Sequence, residues 1–94
     1  MIESYRNRET ERFAAGQPIR QWEPFRRQAE KRLRILEAAS SLNDLAALNS
    51  NRLEGLAGKR RGQYSIRVNR QWRICFEWPI AATGPSNVEI VDYH

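Results

Sequence analysis

Two periodicities divide the chain. Over residues 25–36 the apolar side chains Phe25, Ala29, Leu33 and Leu36 recur at three- and four-residue steps, while Arg26, Arg27, Glu30, Lys31 and Arg34 lie largely off that stripe. This predicts an amphipathic helix ending near Ala39. Over residues 64–78 the period is two. Tyr64, Ile66 and Val68, then Trp72, Ile74, Phe76 and Trp78, fall on one side, with Ser65, Arg67, Asn69, Arg73, Cys75 and Glu77 on the other. Such alternation predicts two amphipathic strands. Their link, Asn69-Arg70-Gln71, is short enough for a tight hairpin, so the strands are expected to be antiparallel neighbours with Arg67 and Arg73 on one polar face.

The other segments follow from local signals. Residues 1–5 are weakly patterned and fit an edge strand. Helix formers over 9–15, with acidic residues in the first turn and Gly16 at a natural C′ position, predict a short helix. Pro18 turns the chain. Pro24 suits the first position of the main helix, where its missing N–H is no loss, although that helix can also begin earlier and kink there. Leu42, Leu45 and Leu48 predict another short helix, capped by Ser41 or Asn43 and turned towards a core rather than a cofactor. Asn49-Ser50-Asn51 reads as a loop by composition. Residues 52–56 read as extended with Leu53 underneath, and Gly58-Lys59-Arg60-Arg61-Gly62 as a flexible basic finger, since no Walker-type spacing follows it. A loop over 79–87 precedes a last strand at 88–93. Val88 and Ile90 are expected to point to the core with Asp92 and His94, and Glu89, Val91 and Tyr93 to the arginine face, although the last three residues need not keep that alternation.

Length and composition narrow the classes. A chain of 94 residues is expected to form one domain, 1–94, large enough to bury roughly 60–65% of its unfolded surface in a single core. No apolar run approaches the ~20 residues that span a bilayer, and MIESYRNRET lacks the apolar centre of a signal peptide. A cytoplasmic protein without membrane contact is the expectation. With a single cysteine, Cys75, and a single histidine, neither a disulfide framework, a metal site nor a cofactor is expected.

Charge is where the sequence is most uneven. Residues 52–78 hold seven basic side chains (Arg52, Lys59, Arg60, Arg61, Arg67, Arg70 and Arg73) against Glu54 and Glu77, while the remainder is balanced at nine of each sign. Fourteen of the sixteen basic residues are Arg. A guanidinium presents a planar fork that matches paired phosphate oxygens, so the local excess points to a polyanionic partner. An arginine-rich genome would explain scattered arginines, but not their clustering.

The stretch RLEGLAGKRRGQYSIRVNRQWRICFEW, with a terminal VEIVDYH, resembles the HigB-type toxins of bacterial type II toxin–antitoxin systems, within the RelE-like superfamily. The match is strong over the C-terminal half and agrees only in pattern over the helical half. The resemblance implies an α+β fold, a small antiparallel β-sheet with N-terminal helices packed on one face, and an open face that binds messenger RNA on the ribosome. It also implies a HigA-type helix-turn-helix antitoxin as partner, with no direct DNA reading by the toxin alone. Such toxins cut RNA without a metal by directing the ribose 2′-OH at the adjacent phosphorus, which requires proton transfer and stabilisation of the extra negative charge.

Carried onto this chain, the resemblance makes Arg73, in QWRICF, the first catalytic candidate, followed by Tyr93 and His94 in the terminal DYH. His94 has the ordinary pKa, about 6.5, that suits acid and base work near neutrality. Tyr93 would orient or stack on a base, and Asp92 would accept a proton or hold Arg73. Lys59, Arg60, Arg61, Arg67 and Arg70 are the candidate RNA or ribosome contacts. Some relatives carry a His and a Lys where this chain has Glu54 and Ala57, so a base is missing there unless Glu54, Lys59 or a nearby Arg substitutes. The plain alternatives are solvated sheet-face charges for Arg67 and Arg73, a frayed end for His94, a structural thiol for Cys75, and core positions for Trp72 and Trp78. A module that binds RNA or the ribosome without cutting is the competing function.

Overall fold

The computed structural model describes residues 1–92; Tyr93 and His94 lie outside the described residues. Three α-helices, α1 (Arg8–Ala14), α2 (Arg26–Ala38) and α3 (Leu42–Ala47), precede four strands, β1 (Glu54–Gly55), β2 (Gln63–Arg67), β3 (Trp72–Glu77) and β4 (Ser86–Asp92). The strands form one antiparallel sheet in the order β1-β2-β3-β4. Register pairs Tyr64 with Phe76, Ile66 with Ile74, and Ile74 with Ile90, so the apolar parity of three strands falls on one side. That side meets Phe13, Trp22, Phe25, Ala29, Leu33, Leu36 and Leu45 in one hydrophobic cluster. Each large apolar side chain buried there stabilises by about 1.5–3 kcal/mol, which commits one sheet face to the helices and leaves the other to polar groups. The fold is α+β.

Caps and turns explain where the helices stop. Asn7 caps α1 by accepting the Thr10 N–H at 2.9 Å, and Glu9 and Glu11 complement the helix dipole in its first turn. At the other end Gly16 takes φ +97°, while the N–H groups of Gly16 and Gln17 reach the carbonyls of Phe13 and Arg12, each at 3.0 Å. This is the left-handed closure the glycine predicted. Thr10 is buried, and its Oγ1 accepts the Ile90 N–H at 3.2 Å, which ties α1 to β4.

Pro24 does not open α2. It sits inside a 3-10 helix, Arg20–Phe25, and α2 begins at Arg26. The tighter turn stacks residues three apart, and Trp22 and Phe25 are both buried. Trp22 lies edge-on to Phe13 at 5.3 Å and to Trp72 at 6.4 Å, while Phe25 stacks on Trp72 at 5.2 Å. Trp72 is therefore held against the helices, as the core reading expected.

The leucine stripe at 42, 45 and 48 is only partly buried. Ser41 caps α3, but the helix ends at Ala47 and Leu48 turns extended and exposed, leaving Leu45 as the buried leucine of the three. Asn49–Asn51 is a 3-10 turn rather than an open loop. Buried Asn51 donates from Nδ2 to the Leu45 carbonyl at 3.0 Å and accepts from Arg32 at 2.9 Å, so its polar atoms are satisfied inside.

The hairpin turn at 69–71 is fixed by Asn69, whose Oδ1 accepts the N–H groups of Gln71 and Trp72, both at 2.8 Å. Strand β4 starts at Ser86, two residues earlier than expected. A register shift between Cys75 and Glu77 and a left-handed Asn87, φ +50°, let it join early without losing the parity of Val88 and Ile90. Instead of a strand, the N-terminal segment makes a single parallel bridge, Tyr5 to Val88. Its backbone nevertheless hydrogen-bonds Pro85 and Val88 from Glu3, Ser4 and Arg6 at 2.8–3.1 Å. A Cβ on Gly84 would run into the Met1 carbonyl, so only glycine lets this segment lie so close. Among the described residues, no helix is long and apolar enough to cross a membrane.

Candidate active site on the open sheet face

The polar parity of the sheet builds the site in two rows. One runs across all four strands, with Glu54 opposite Ser65, Ser65 opposite Cys75 and Cys75 opposite Glu89. Two residues along, the next places Arg67 opposite Arg73 and Arg73 opposite Val91. Like charges directly opposite on neighbouring strands are destabilising. An Arg67–Arg73 pair is therefore a costly arrangement for fold alone and a favourable one for gripping an anion.

Arg73 is fixed before any ligand arrives. Its side chain is 14% exposed, with Nη1 3.1 Å from Glu54 Oε1 and Nη2 donating to the Arg52 carbonyl at 2.9 Å. Arg52 itself holds a left-handed backbone, φ +46°, which is unfavourable for a residue with a Cβ and aims that carbonyl at the guanidinium. Among the described residues Nε of Arg73 is buried without a partner, an unsatisfied donor of the kind that costs about 1–3 kcal/mol. Arg67 is steadied more lightly, by Nε donating to the Asn69 carbonyl at 3.1 Å.

A second cluster lies beside the first. Glu89, buried to 10% side-chain exposure, accepts from Arg6 Nε at 2.9 Å and from Arg60 Nη1 at 3.2 Å. Arg60 also donates to Gln63 Oε1 at 3.0 Å, and Arg6 reaches Glu77 at 3.5 Å. The basic finger is thus not a flexible one at its centre. Gly58–Arg60 forms a 3-10 turn, and Arg60 is folded down over the open face, leaving Lys59 and Arg61 exposed beside it. Arg70 is exposed at the hairpin tip.

Asp92 does not hold Arg73. Register places it opposite Trp72, on the helix-side parity, and its Oδ2 accepts from Gln71 Nε2 at 2.8 Å. Glu54 is the carboxylate on Arg73 instead. Tyr93 and His94, the other catalytic candidates that the resemblance names, lie outside the described residues. Arg6 and the pairing role of Glu89 are what sequence reasoning missed. Alternation had turned Glu89 to the correct face, but Arg6 arrives through pairing with a segment about 80 positions away, for which no local pattern exists.

Cys75 lies fully buried in the middle of the first row. Burial pushes its thiol up to about 11, with Glu89 adding to the rise and Arg60, Arg73 and Arg6 opposing it. It is a structural thiol, since a protonated and inaccessible sulfur is a poor nucleophile. Native protein is expected to resist iodoacetamide at neutral pH and to be alkylated only once unfolded. The folded state keeps the thiol proton up to about pH 11, whereas an unfolded thiol loses it near 9.0. Stability from this group is thus full below pH 9 and falls as pH rises to 11. Denaturant titrations at those pH values should show a steeper loss for the native sequence than for Cys75→Ala.

The cavity of about 360 Å³ bordered by Ile2, Tyr5, Phe13, Leu33 and Glu37 lies on the helical side, not over the arginines.

Residues 3–94 match the family described as the RelE-like toxin of type II toxin–antitoxin system HigB. Over 48 residues the chain is 46% identical to Toxin HigB-1 of Vibrio cholerae serotype O1, covering 51% of this chain and 50% of that protein. Over 48 residues it is also 38% identical to an uncharacterized protein of Haemophilus influenzae, covering 51% of this chain and 48% of that one. The matched stretch spans about half the length of both relatives.

Proposed function

Because the chain belongs to the HigB-like toxins, the RelE-like toxins of type II toxin–antitoxin systems, we propose that it is a ribosome-dependent endoribonuclease that cuts messenger RNA on its open sheet face. The observation that carries this reading is the Arg67–Arg73 pair, two arginines at directly paired positions of adjacent strands with Arg73 already oriented by Arg52 and Glu54. A phosphodiester relieves their repulsion. The extra negative charge of the phosphorane, formed when the 2′-OH attacks, strengthens that attraction in the transition state.

Each residue has a part in this proposal. Arg73 grips the phosphate at the cut, and Arg67 assists from the neighbouring strand. Lys59, Arg61 and Arg70 hold flanking phosphates or ribosomal RNA, and Arg60 does so from its anchored position. Tyr93 and His94 are proposed to orient a nucleotide and to move a proton, on the strength of the resemblance. The whole-chain domain 1–94 is proposed to act in the cytoplasm with a HigA-type antitoxin as its partner.

Induced expression tests the reading. Growth should arrest, and new ends should appear inside translated messages. A translation block with intact messages would mean that the face binds without cutting, and uninterrupted growth would remove the toxin activity altogether.

A further inference from the structure

Building on the message-binding face proposed above, we infer that Glu89 is a positioning residue that latches the basic finger, residues 58–62, across the sheet through Arg60. In this role it fixes where Lys59 and Arg61 meet the phosphates of the message. The finger lies between β1 and β2 in the chain, whereas Glu89 is on β4, at the far end of the strand order. Arg60 Nη1 nevertheless lies 3.2 Å from Glu89 Oε2 and 3.0 Å from Gln63 Oε1. In the row that ends at Glu89, Ser65 on β2 and Cys75 on β3 belong to the open face by parity, yet both are fully buried. A side chain laid over them as a strap accounts for that burial.

The finger is built to move unless something holds it. Gly58 and Gly62 take left-handed backbones, φ +64° and +88°. Among the described residues, nothing beyond the chain neighbours lies within 4 Å of a Cβ placed on either, so these glycines serve the bend of the chain rather than close packing. The 3-10 segment between them is a single turn of three residues, which needs tertiary contacts to persist.

Glu89 supplies such a contact. Its side chain is 10% exposed, and Arg6 Nε at 2.9 Å steadies it from the N-terminal segment. Burying a carboxylate is costly, and well-packed apolar residues would hold a sheet as firmly. What the ion pair adds is a defined place for the chain that carries its partner. Arg6 also meets Glu77 at 3.5 Å, so two guanidiniums face two carboxylates and the charges within the cluster balance. The consequence falls on the chain neighbours of Arg60, the exposed Lys59 and Arg61, whose charges are left for a polyanion.

Glu89→Gln, which keeps the shape but not the charge, tests this in the whole protein. Limited trypsin digestion should cut after Lys59 and Arg61 faster than in the native protein, with cutting inside α2 unchanged. Affinity for programmed ribosomes carrying a message with a 2′-deoxy ribose at the cut should fall on the order of 10-fold, the cost of ordering two long side chains on binding. Single-turnover cleavage of the ribose message at saturation should keep its native rate. Arg60→Met opens the latch from its other end, and adding Glu89→Gln to it should weaken binding no further. Should Glu89→Gln fail to fold, Arg60→Met, in which Glu89 keeps Arg6, carries the digestion test by itself. Native digestion of the finger in the variants, additive losses of affinity in the double variant, or a slower cleavage step with unchanged affinity would each overturn the latch. Absence of cleavage by the wild-type protein defeats the nuclease reading alone, and faster digestion with weaker binding in Glu89→Gln would still uphold the latch. Wild-type protein that neither binds nor cuts the message would overturn both.

Discussion

Arg73→Ala is expected to abolish growth arrest and to lower message cleavage on the order of 100- to 1,000-fold, the usual loss when one preorganised donor to a developing oxyanion is removed. The protein should still fold. The Arg73–Glu54 pair joins a half-exposed carboxylate to the guanidinium, and pairs with that much solvent contribute only about 0–1 kcal/mol. Removing the arginine also ends its repulsion with Arg67, which sits directly opposite. The loss is therefore chemical rather than structural, and matched denaturation curves beside unmatched cleavage rates would establish it. Arg73→Lys separates charge from shape. It keeps the positive charge but loses the fork and the simultaneous reach to Glu54, Arg52 and a phosphate, so it should recover little of the rate. Near-normal toxicity of Arg73→Ala would remove Arg73 from the mechanism.

Phe76→Ala should produce the largest loss of stability, about 3–5 kcal/mol, because the surrounding core cannot fully close over the space left by a buried aromatic. Phe76 is completely buried, on a strand hydrogen-bonded on both sides, and stacks on Tyr64 with ring centroids 6.1 Å apart. Such a loss is a large share of the roughly 5–15 kcal/mol that holds a native domain together. A fall in Tm of at least about 12 °C is expected, measured by thermal or denaturant unfolding. The same strand carries Arg73, so toxicity should weaken at temperatures where the variant begins to open. An unfolding midpoint within a degree or two of the native protein would mean that the sheet is not anchored as described.

These two residues sit three apart on one strand, and their parity shows what the sequence made legible. Strict alternation over 64–78 identified which side chains enter the core and which face outwards, because a strand's period of two allows no compromise. The Arg67–Arg73 pair followed from a hairpin only three residues long. Local signals also served where one residue type is nearly obligatory, as with Gly16 closing α1. They failed where tertiary contacts chose between close alternatives. Pro24 is compatible with the first turn of an α-helix, but burying both Trp22 and Phe25 selected the 3-10 turn. Leu48 continued an apolar spacing that the helix itself did not.

The site was legible in part for the same reason. Arg73 and Arg67 could be placed because they belong to one hairpin, whereas the Glu54–Arg73 and Arg6–Glu89 contacts span edge strands and distant segments, whose register no periodicity encodes. The charge count was correct but incomplete. The seven basic residues over 52–78 divide into an arginine gripped by Glu54, another folded onto Glu89, a third, Arg67, tied to the hairpin turn, and an exposed set at 52, 59, 61 and 70. Anchored guanidiniums suit chemistry, and exposed ones suit contacts that salt screens readily.

On the proposed function, this face cuts a message through the RNA's own 2′-OH. The most direct measurement places a defined message on programmed ribosomes, adds the purified protein, and identifies both new ends. Cleavage leaving a 2′,3′-cyclic phosphate and a 5′-hydroxyl, and blocked by a single 2′-deoxy substitution at the cut, is the predicted result. An intact message, or unimpaired cleavage of the 2′-deoxy message, would contradict it.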